Sequence, residues 1–263
     1  MKKLPVYLLV LLAAVVAAYA QPSNVAKPVA KNALDKGDFK VGFPKADPGK
    51  KPMAADDKVA FQGIADTLNA VIALPRDVYL NVDQCGQANA FYDPDGPQIK
   101  ICYELIDQYE SEFKTVSKDE KEVEDMVEDT LVQTLFHELG HCLIDQWELP
   151  ATGREEDAVD QLATVLLLDG SPEGQKSAIH AALEFAIASS DEDKGDMIFW
   201  DEHSFSKTRF YDMMCLVYGS DPKKNGFMIG DDGLPQHRAA RCPEEWKRAD
   251  RAWMKLLLPY ILQ

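Results

Sequence analysis

The strongest chemical signal in the chain is the spacing H-E-x-x-H, which occurs in the run FHELGHC from Phe136 to Cys142. On an α-helix His137 and His141 lie four residues apart, and therefore on one face, one turn from each other. Two imidazoles placed in this way can bind the same zinc ion. Glu138 follows on the flank of that face, where its carboxylate can act as a general base toward a water molecule. The spacing therefore indicates the site of a metal-dependent hydrolase.

The same four letters can also arise as two helix histidines and a glutamate at a protein surface. Three features argue against that alternative. The run lies in a stretch, residues 131–144, that is apolar on nearly all sides, where an unpaired polar group is costly to bury. Gly140 costs about 1 kcal/mol relative to alanine inside a helix, which suggests that another element approaches closely there. An acidic helix also follows at suitable range.

That acidic helix, predicted from about Arg154 to Leu168, offers the third ligand which a catalytic zinc site needs. Glu156 and Asp160 are four residues apart and share a face. We expect Glu156 to bind the metal and Asp160 to accept the free N–H of a metal-bound histidine. Acidic residues at a helix start can instead reflect the helix dipole, which accounts for Glu155 and Asp157 but not for Asp160. Glu155 and Asp157 stay open as alternative third ligands.

The surrounding pattern predicts an α+β domain, mostly helical, with a small sheet next to the helix that carries the motif. Strands are predicted over residues 77–82 and 98–103, separated by the turn signal Asp93-Pro94-Asp95-Gly96-Pro97. Helices are predicted over 59–74, from 118 through the motif to 144, 154–168, 172–188, 207–218 and 244–258.

The N-terminus predicts an exported protein. Lys2 and Lys3 precede an apolar stretch over 6–18, and Ala18-Tyr19-Ala20 resembles a signal-peptidase site, so residues 1–20 are interpreted as a signal peptide. The alternative, an uncleaved membrane anchor, is less favoured because the apolar stretch is short. Residues 21–55, rich in proline and lysine, are predicted to form a flexible leader before a domain at 56–263. We expect a periplasmic or secreted protein that is not inserted in a membrane after cleavage.

Charge and cysteines narrow the function further. The net charge of −16 argues against nucleic-acid binding, which needs basic surfaces. The chain has five cysteines, an odd number, which in an oxidising compartment suggests two disulfides and one spare thiol. Cys142 adjoins His141 on a buried helix and is assigned as the free thiol. Local order then predicts the pairs Cys85–Cys102 and Cys215–Cys242.

Taken together, H-E-L-G-H and the later E-x-x-x-D resemble the gluzincin arrangement of thermolysin-like peptidases. The stretch from HELGHCLIDQWELP to GREEDAVDQLA more closely resembles a bacterial family of putative metallopeptidases, long catalogued as a domain of unknown function. The resemblance extends over most of residues 57–260. It implies a zincin-like fold, one zinc ion and hydrolysis of peptide bonds in a peptide or protein substrate. By the same analogy, residues 98–103 would form an edge strand that binds extended substrate, the alternative being an internally paired strand.

The expected mechanism gives Glu138 the role of general base and assigns the oxyanion to zinc and one further donor. His203, in the acidic setting Asp201-Glu202-His203, is the first candidate donor, with Arg209 and Tyr211 behind it. A surface histidine in an acidic loop is the alternative for His203. The rival function is a non-catalytic zinc-binding sensor or partner-binding domain on a zincin scaffold. A zinc hydrolase acting on another kind of bond is a second rival.

Overall fold

A computed structural model describes residues 34–42, 55–192, 199–231 and 233–262 of the protein. The predicted signal peptide and most of the predicted leader lie outside these residues and stay predictions. Among the described residues, no helix has the length and apolar character needed to cross a membrane.

The described residues form a small sheet and a larger set of helices, which confirms the predicted α+β class. In chain order the elements are β1 (Phe39–Val41), α1 (Ala55–Val71), β2 (Val78–Asp83), β3 (Ala90–Asp93), β4 (Gln98–Cys102), α2 (Tyr103–Val116), α3 (Glu120–Trp147), α4 (Glu155–Leu167), α5 (Pro172–Glu192), α6 (Ser206–Ser220), α7 (Gln236–Ala239) and α8 (Cys242–Leu257).

The four strands lie in the order β1-β2-β4-β3. β1, β2 and β4 run parallel, whereas β3 pairs antiparallel with β4 through a tight hairpin. The prediction that residues 98–103 form an edge strand is therefore wrong, because β4 is hydrogen-bonded on both sides. Among the described residues, the edge strand on that side of the sheet is β3. This strand was not predicted, because turn-forming residues surround it.

Part of the segment predicted as a flexible leader is also structured. Phe39 to Val41 form β1 and pair in register with Val78 to Leu80 of β2. The side chain of Phe39 is fully buried in the main core. The leader prediction is wrong for these residues: a strand of three residues is too short to reveal itself by alternation among prolines and lysines.

The long helix α3 is the centre of the fold and confirms the prediction that the motif helix is buried. The side chain of Asp119 caps its start by accepting hydrogen bonds from the backbone N–H groups of Lys121 and Glu122. Residues 126–140 are buried on every side, because α3 packs against β3, β4, α2, α4 and α5. A helix enclosed in this way holds its side chains at fixed positions.

Two disulfides connect the elements as predicted. Cys85–Cys102 joins the loop after β2 to the end of β4, and Cys215–Cys242 joins α6 to the start of α8, while Cys142 is a buried free thiol. Helix α2 was not predicted, although its buried residues Leu105, Tyr109 and Phe113 recur every four positions, the spacing of a helix face.

Candidate metal centre

The site begins with an unusually close crossing of α3 and α4. A Cβ added at Gly140 would lie 2.8 Å from both Cβ and Cγ1 of Val159. Glycine is therefore required at this position of α3, which confirms the close approach that the sequence suggested. Because Glu156 precedes Val159 by three residues on α4, the crossing brings its carboxylate next to the histidines of α3.

His137, His141 and Glu156 converge on one point. Ligand atoms of the three side chains all lie within 4.8 Å of one another. The Nε2 atom of His137 is 3.1 Å from Oε2 of Glu156, and the Nε2 atom of His141 is 3.2 Å from Oε1. Of the three acidic residues considered as third ligand, the structure brings Glu156 to the Nε2 atoms.

The second ring nitrogen of each histidine, Nδ1, forms a hydrogen bond with a different carboxylate. Nδ1 of His137 is 2.7 Å from Oδ1 of Asp160, the contact expected from the sequence. Nδ1 of His141 is 2.8 Å from Oε1 of Glu155, which the sequence analysis had treated only as a dipole residue or an alternative ligand. Its position next to Glu156 in the first turn of α4 is the sequence feature that could have indicated this contact.

These contacts fix the tautomer of both rings. An ionised carboxylate only accepts hydrogen bonds, so the Nδ1 atoms of His137 and His141 carry the proton and donate it. In a neutral ring, Nε2 is then a lone pair, and both lone pairs face oxygens of Glu156. Oε2 of Glu156 is buried, and the Nε2 atoms of His137 and His203 lie 3.1 and 3.0 Å from it without hydrogen-bond geometry. When both rings are neutral, these acceptors face one another, an arrangement that suits a cation held between them.

Two of the separations between the candidate ligand atoms are compatible with a metal ion of the size of zinc. Zinc binds nitrogen and carboxylate oxygen at about 2.0–2.2 Å, which places neighbouring ligand atoms of a tetrahedron roughly 3.3–3.5 Å apart. The observed distances of 3.1 and 3.2 Å are close to that range. His137, His141 and Glu156 are the residues that would hold such an ion.

The electrostatics of the site also favour positive charge. Burial opposes protonation of His137, but the adjacent carboxylates of Asp160 and Glu156 raise its pKa to about 9. Burial likewise opposes ionisation of Glu156, yet the three surrounding imidazoles of His137, His141 and His203 hold its pKa well below the usual range. A site with this balance attracts a cation.

Glu138 lies on the cleft side of the motif helix. Its side chain is almost fully buried, and this burial raises the pKa of its carboxyl group above the ordinary value. The backbone N–H of Tyr92, on β3, is directed at the same carboxylate and partly offsets this rise in its pKa. A carboxylate with raised basicity, oriented by a backbone donor, suits proton transfer.

The cleft in front of these residues has a volume of about 770 Å³. β3 forms one wall, and the N-terminal part of α4 with Glu202 and His203 forms another. The residues that line it are Asn89, Ala90, Phe91, Tyr92, Pro94, His137, Glu138, His141, Ile144, Asp145, Arg154, Glu155, Glu156, Glu202 and His203. The free sheet edge and the metal ligands thus share one cleft.

Of the three candidate oxyanion donors, the structure brings only His203 to the site. Its Nε2 is 3.0 Å from Oε2 of Glu156, and its Nδ1 is 3.3 Å from Oδ1 of Asp201. Arg209 lies behind the metal ligands, where it donates to Asp160. Tyr211 packs against the cluster around the Cys215–Cys242 disulfide. The assignments of Arg209 and Tyr211 as donors are wrong because α6 directs both side chains away from the cleft.

Comparison with known proteins gives one finding. A family profile described as "Putative metallopeptidase" matches residues 47–257, which confirms the resemblance inferred from the sequence. No curated protein and no solved structure gives a significant match.

Proposed function

Because this chain belongs to the family described as "Putative metallopeptidase", we propose that it is a zinc-dependent peptidase which binds the metal through His137, His141 and Glu156. The observation that carries the proposal is the convergence of these three side chains on one point. The Nε2 atoms of His137 and His141 lie 3.1 and 3.2 Å from the carboxylate of Glu156, an arrangement that a divalent cation would make favourable.

The chemistry follows from the side chains around that point. Zinc, when bound, supplies a Lewis acid that makes water a better nucleophile and polarises the scissile carbonyl. Glu138 takes the proton of the attacking water and passes it to the leaving amine. Its position beside the ligands, and its burial, keep it basic enough for both transfers. His203 donates a hydrogen bond to the oxyanion from the opposite wall of the cleft.

The substrate is an extended peptide that adds to the sheet at β3. The N–H of Cys102 donates to the C=O of Asn89, so in this antiparallel ladder the odd-numbered residues of β3 bond to β4. The backbone groups of Ala90 and Tyr92 then point to the open edge. The N–H of Tyr92 is directed at Glu138, and three other backbone groups remain for a substrate: the N–H and C=O of Ala90 and the C=O of Tyr92.

We also propose that the protein works outside the cytoplasm. Two disulfides hold the described part of the chain, and such bonds persist in oxidising compartments. Together with the signal-like N-terminus, they support a periplasmic or secreted enzyme.

The test separates metal binding from catalysis. Glu138→Gln should bind one zinc per chain and lose hydrolysis of a mixed peptide library by at least about 100-fold, the contribution of a general base. Glu128→Gln is the matched control, since Glu128 is a buried glutamate on the same helix but lies outside the cleft. His137→Ala should lose zinc, measured by elemental analysis.

Two outcomes would contradict the proposal. Undiminished turnover in the Glu138→Gln variant would show that Glu138 is not the general base. A wild-type protein that binds zinc but cleaves no peptide, with or without a chelator, would favour the sensor or partner-binding alternative.

A further inference from the structure

Arg209 occupies a place that the proposed chemistry does not use. It projects from α6 toward the back of the metal centre, and its Nε and Nη2 donate to Oδ2 and Oδ1 of Asp160 at 2.6 and 2.7 Å. Oδ1 of Asp160 also accepts from Nδ1 of His137 at 2.7 Å. A continuous chain of three side chains therefore joins α6, α4 and α3 behind the metal.

The guanidinium is held on more than one side. Its Cζ atom lies 4.0 Å from the centre of the Phe185 ring on α5, and the side chain is only 16% exposed. A bidentate contact fixes the plane of the Asp160 carboxylate as well as its distance. Without the guanidinium, that carboxylate would keep the hydrogen bond from His137 and be free to turn about its χ2 bond.

The second imidazole has no comparable support. Nδ1 of His141 donates to Glu155, whose side chain is 47% exposed to solvent. The Asp160 side chain is only 12% exposed, and it is fixed by a buried cation. The two halves of the metal centre thus differ: one imidazole is held by a buried ion pair and the other by a solvated carboxylate.

From this asymmetry we infer that Arg209 is a positioning residue for the metal site. By holding the Asp160 carboxylate in one orientation, it keeps the imidazole of His137 turned with Nε2 toward Glu156 and so strengthens zinc binding. Partners of this kind behind metal ligands commonly change metal affinity by 10–100-fold when removed. The inference rests on the proposed zinc site, and its test separates the two.

The test compares a largely buried arginine–carboxylate pair with a more exposed one. Arg209→Met should raise the zinc dissociation constant by about 10–100-fold, measured by competition with a chromophoric chelator. The control is Arg238→Met, since Arg238 is 27% exposed and its ion pairs are with Glu245, at 2.7 Å, and Asp212, not with Asp160. Its zinc dissociation constant should stay within about twofold of wild type, even where both variants lose thermal stability.

Two further variants keep the inference open to refutation. Arg209→Lys retains the charge but not the two-pronged contact, so its zinc affinity should lie between wild type and Arg209→Met. If Arg209→Met does not fold, Asp160→Asn provides the same readout, and it should weaken zinc binding comparably. The visible spectrum of the cobalt-substituted protein should change in these variants and not in Arg238→Met.

Equal zinc affinities for Arg209→Met and Arg238→Met, in a wild-type protein that binds zinc and cleaves peptides, would overturn the inference and leave the function standing. A wild-type chain that binds no zinc would overturn both.

Discussion

Replacing Gly140 with alanine perturbs the close contact with Val159 at which α3, carrying the histidines, crosses α4, carrying the carboxylate of Glu156. The added methyl group would lie 2.8 Å from Cβ and Cγ1 of Val159 and 3.3 Å from its Cα. Ordinary contacts between carbon atoms lie at about 3.5–4.0 Å, so α4 must move away from α3 by roughly 1 Å.

The effects on stability and on metal binding should differ in size. Overpacking costs about 1–3 kcal/mol, while the better helix propensity of alanine offsets about 1 kcal/mol of this. The net loss of about 0–2 kcal/mol lowers the melting temperature by only a few degrees. Zinc ligands, however, tolerate deviations of about 0.2 Å. A displacement of roughly 1 Å at Glu156 exceeds that tolerance, so we expect zinc affinity to fall by at least about tenfold.

The measurement pairs thermal unfolding with chelator competition on the Gly140→Ala protein. Gly226→Ala is the control, because a Cβ at Gly226 would meet no atom within 4 Å. A Gly140→Ala variant that binds zinc as tightly as wild type would refute the reasoning that the helix crossing determines where Glu156 lies.

Two further predictions concern buried titratable groups. Burial, and the nearby charge of Glu112, raise the pKa of Glu184 from 4.5 to about 8, so the folded state keeps a proton that the unfolded chain loses. The free energy of unfolding should therefore fall as the pH rises from about 4.5 to 8. In urea titrations at several pH values, Glu184→Gln should make this pH dependence weaker. An unchanged pH dependence in that variant would contradict the prediction. Burial also raises the pKa of the Cys142 thiol, so the native protein should show no thiol that reacts with Ellman's reagent, and the unfolded, unreduced protein one per chain. A reactive thiol in the native state would contradict this assignment.

Much of the metal centre could be predicted because it is encoded locally. The spacing of His137 and His141 fixes their relative position on any helix, and the spacing of Glu156 and Asp160 does the same on the next one. Gly140 then indicated that the two helices meet closely. The helical part of the fold was predictable for the same reason, since long periodic segments carry their own signal.

The rest depends on contacts between residues far apart in the chain. Arg209 reaches Asp160 across 49 positions, and no local pattern distinguishes it from an arginine that faces the cleft. The strand order likewise follows from pairing and not from the content of any strand: the alternation in β4 is compatible with an edge or an internal position. The sequence marked Glu155 as a candidate site residue but did not predict its contact with His141. Adjacent acidic residues on a helix point in different directions, and which of them reaches the histidine depends on how the two helices pack.

The short strand β1 determines where an independently stable fragment can start. Its backbone covers the outer edge of β2, and the Asn69 side chain on α1 both accepts from the N–H of Phe39 and donates to its C=O. A protein trimmed back to residue 56 would lose these contacts and present a bare apolar strand to its neighbours, which is a template for aggregation. Upstream residues thus cover β2 on one side of the sheet, while β3 on the opposite side has no further strand among the described residues and lies beside the candidate metal ligands, where the proposed substrate would add.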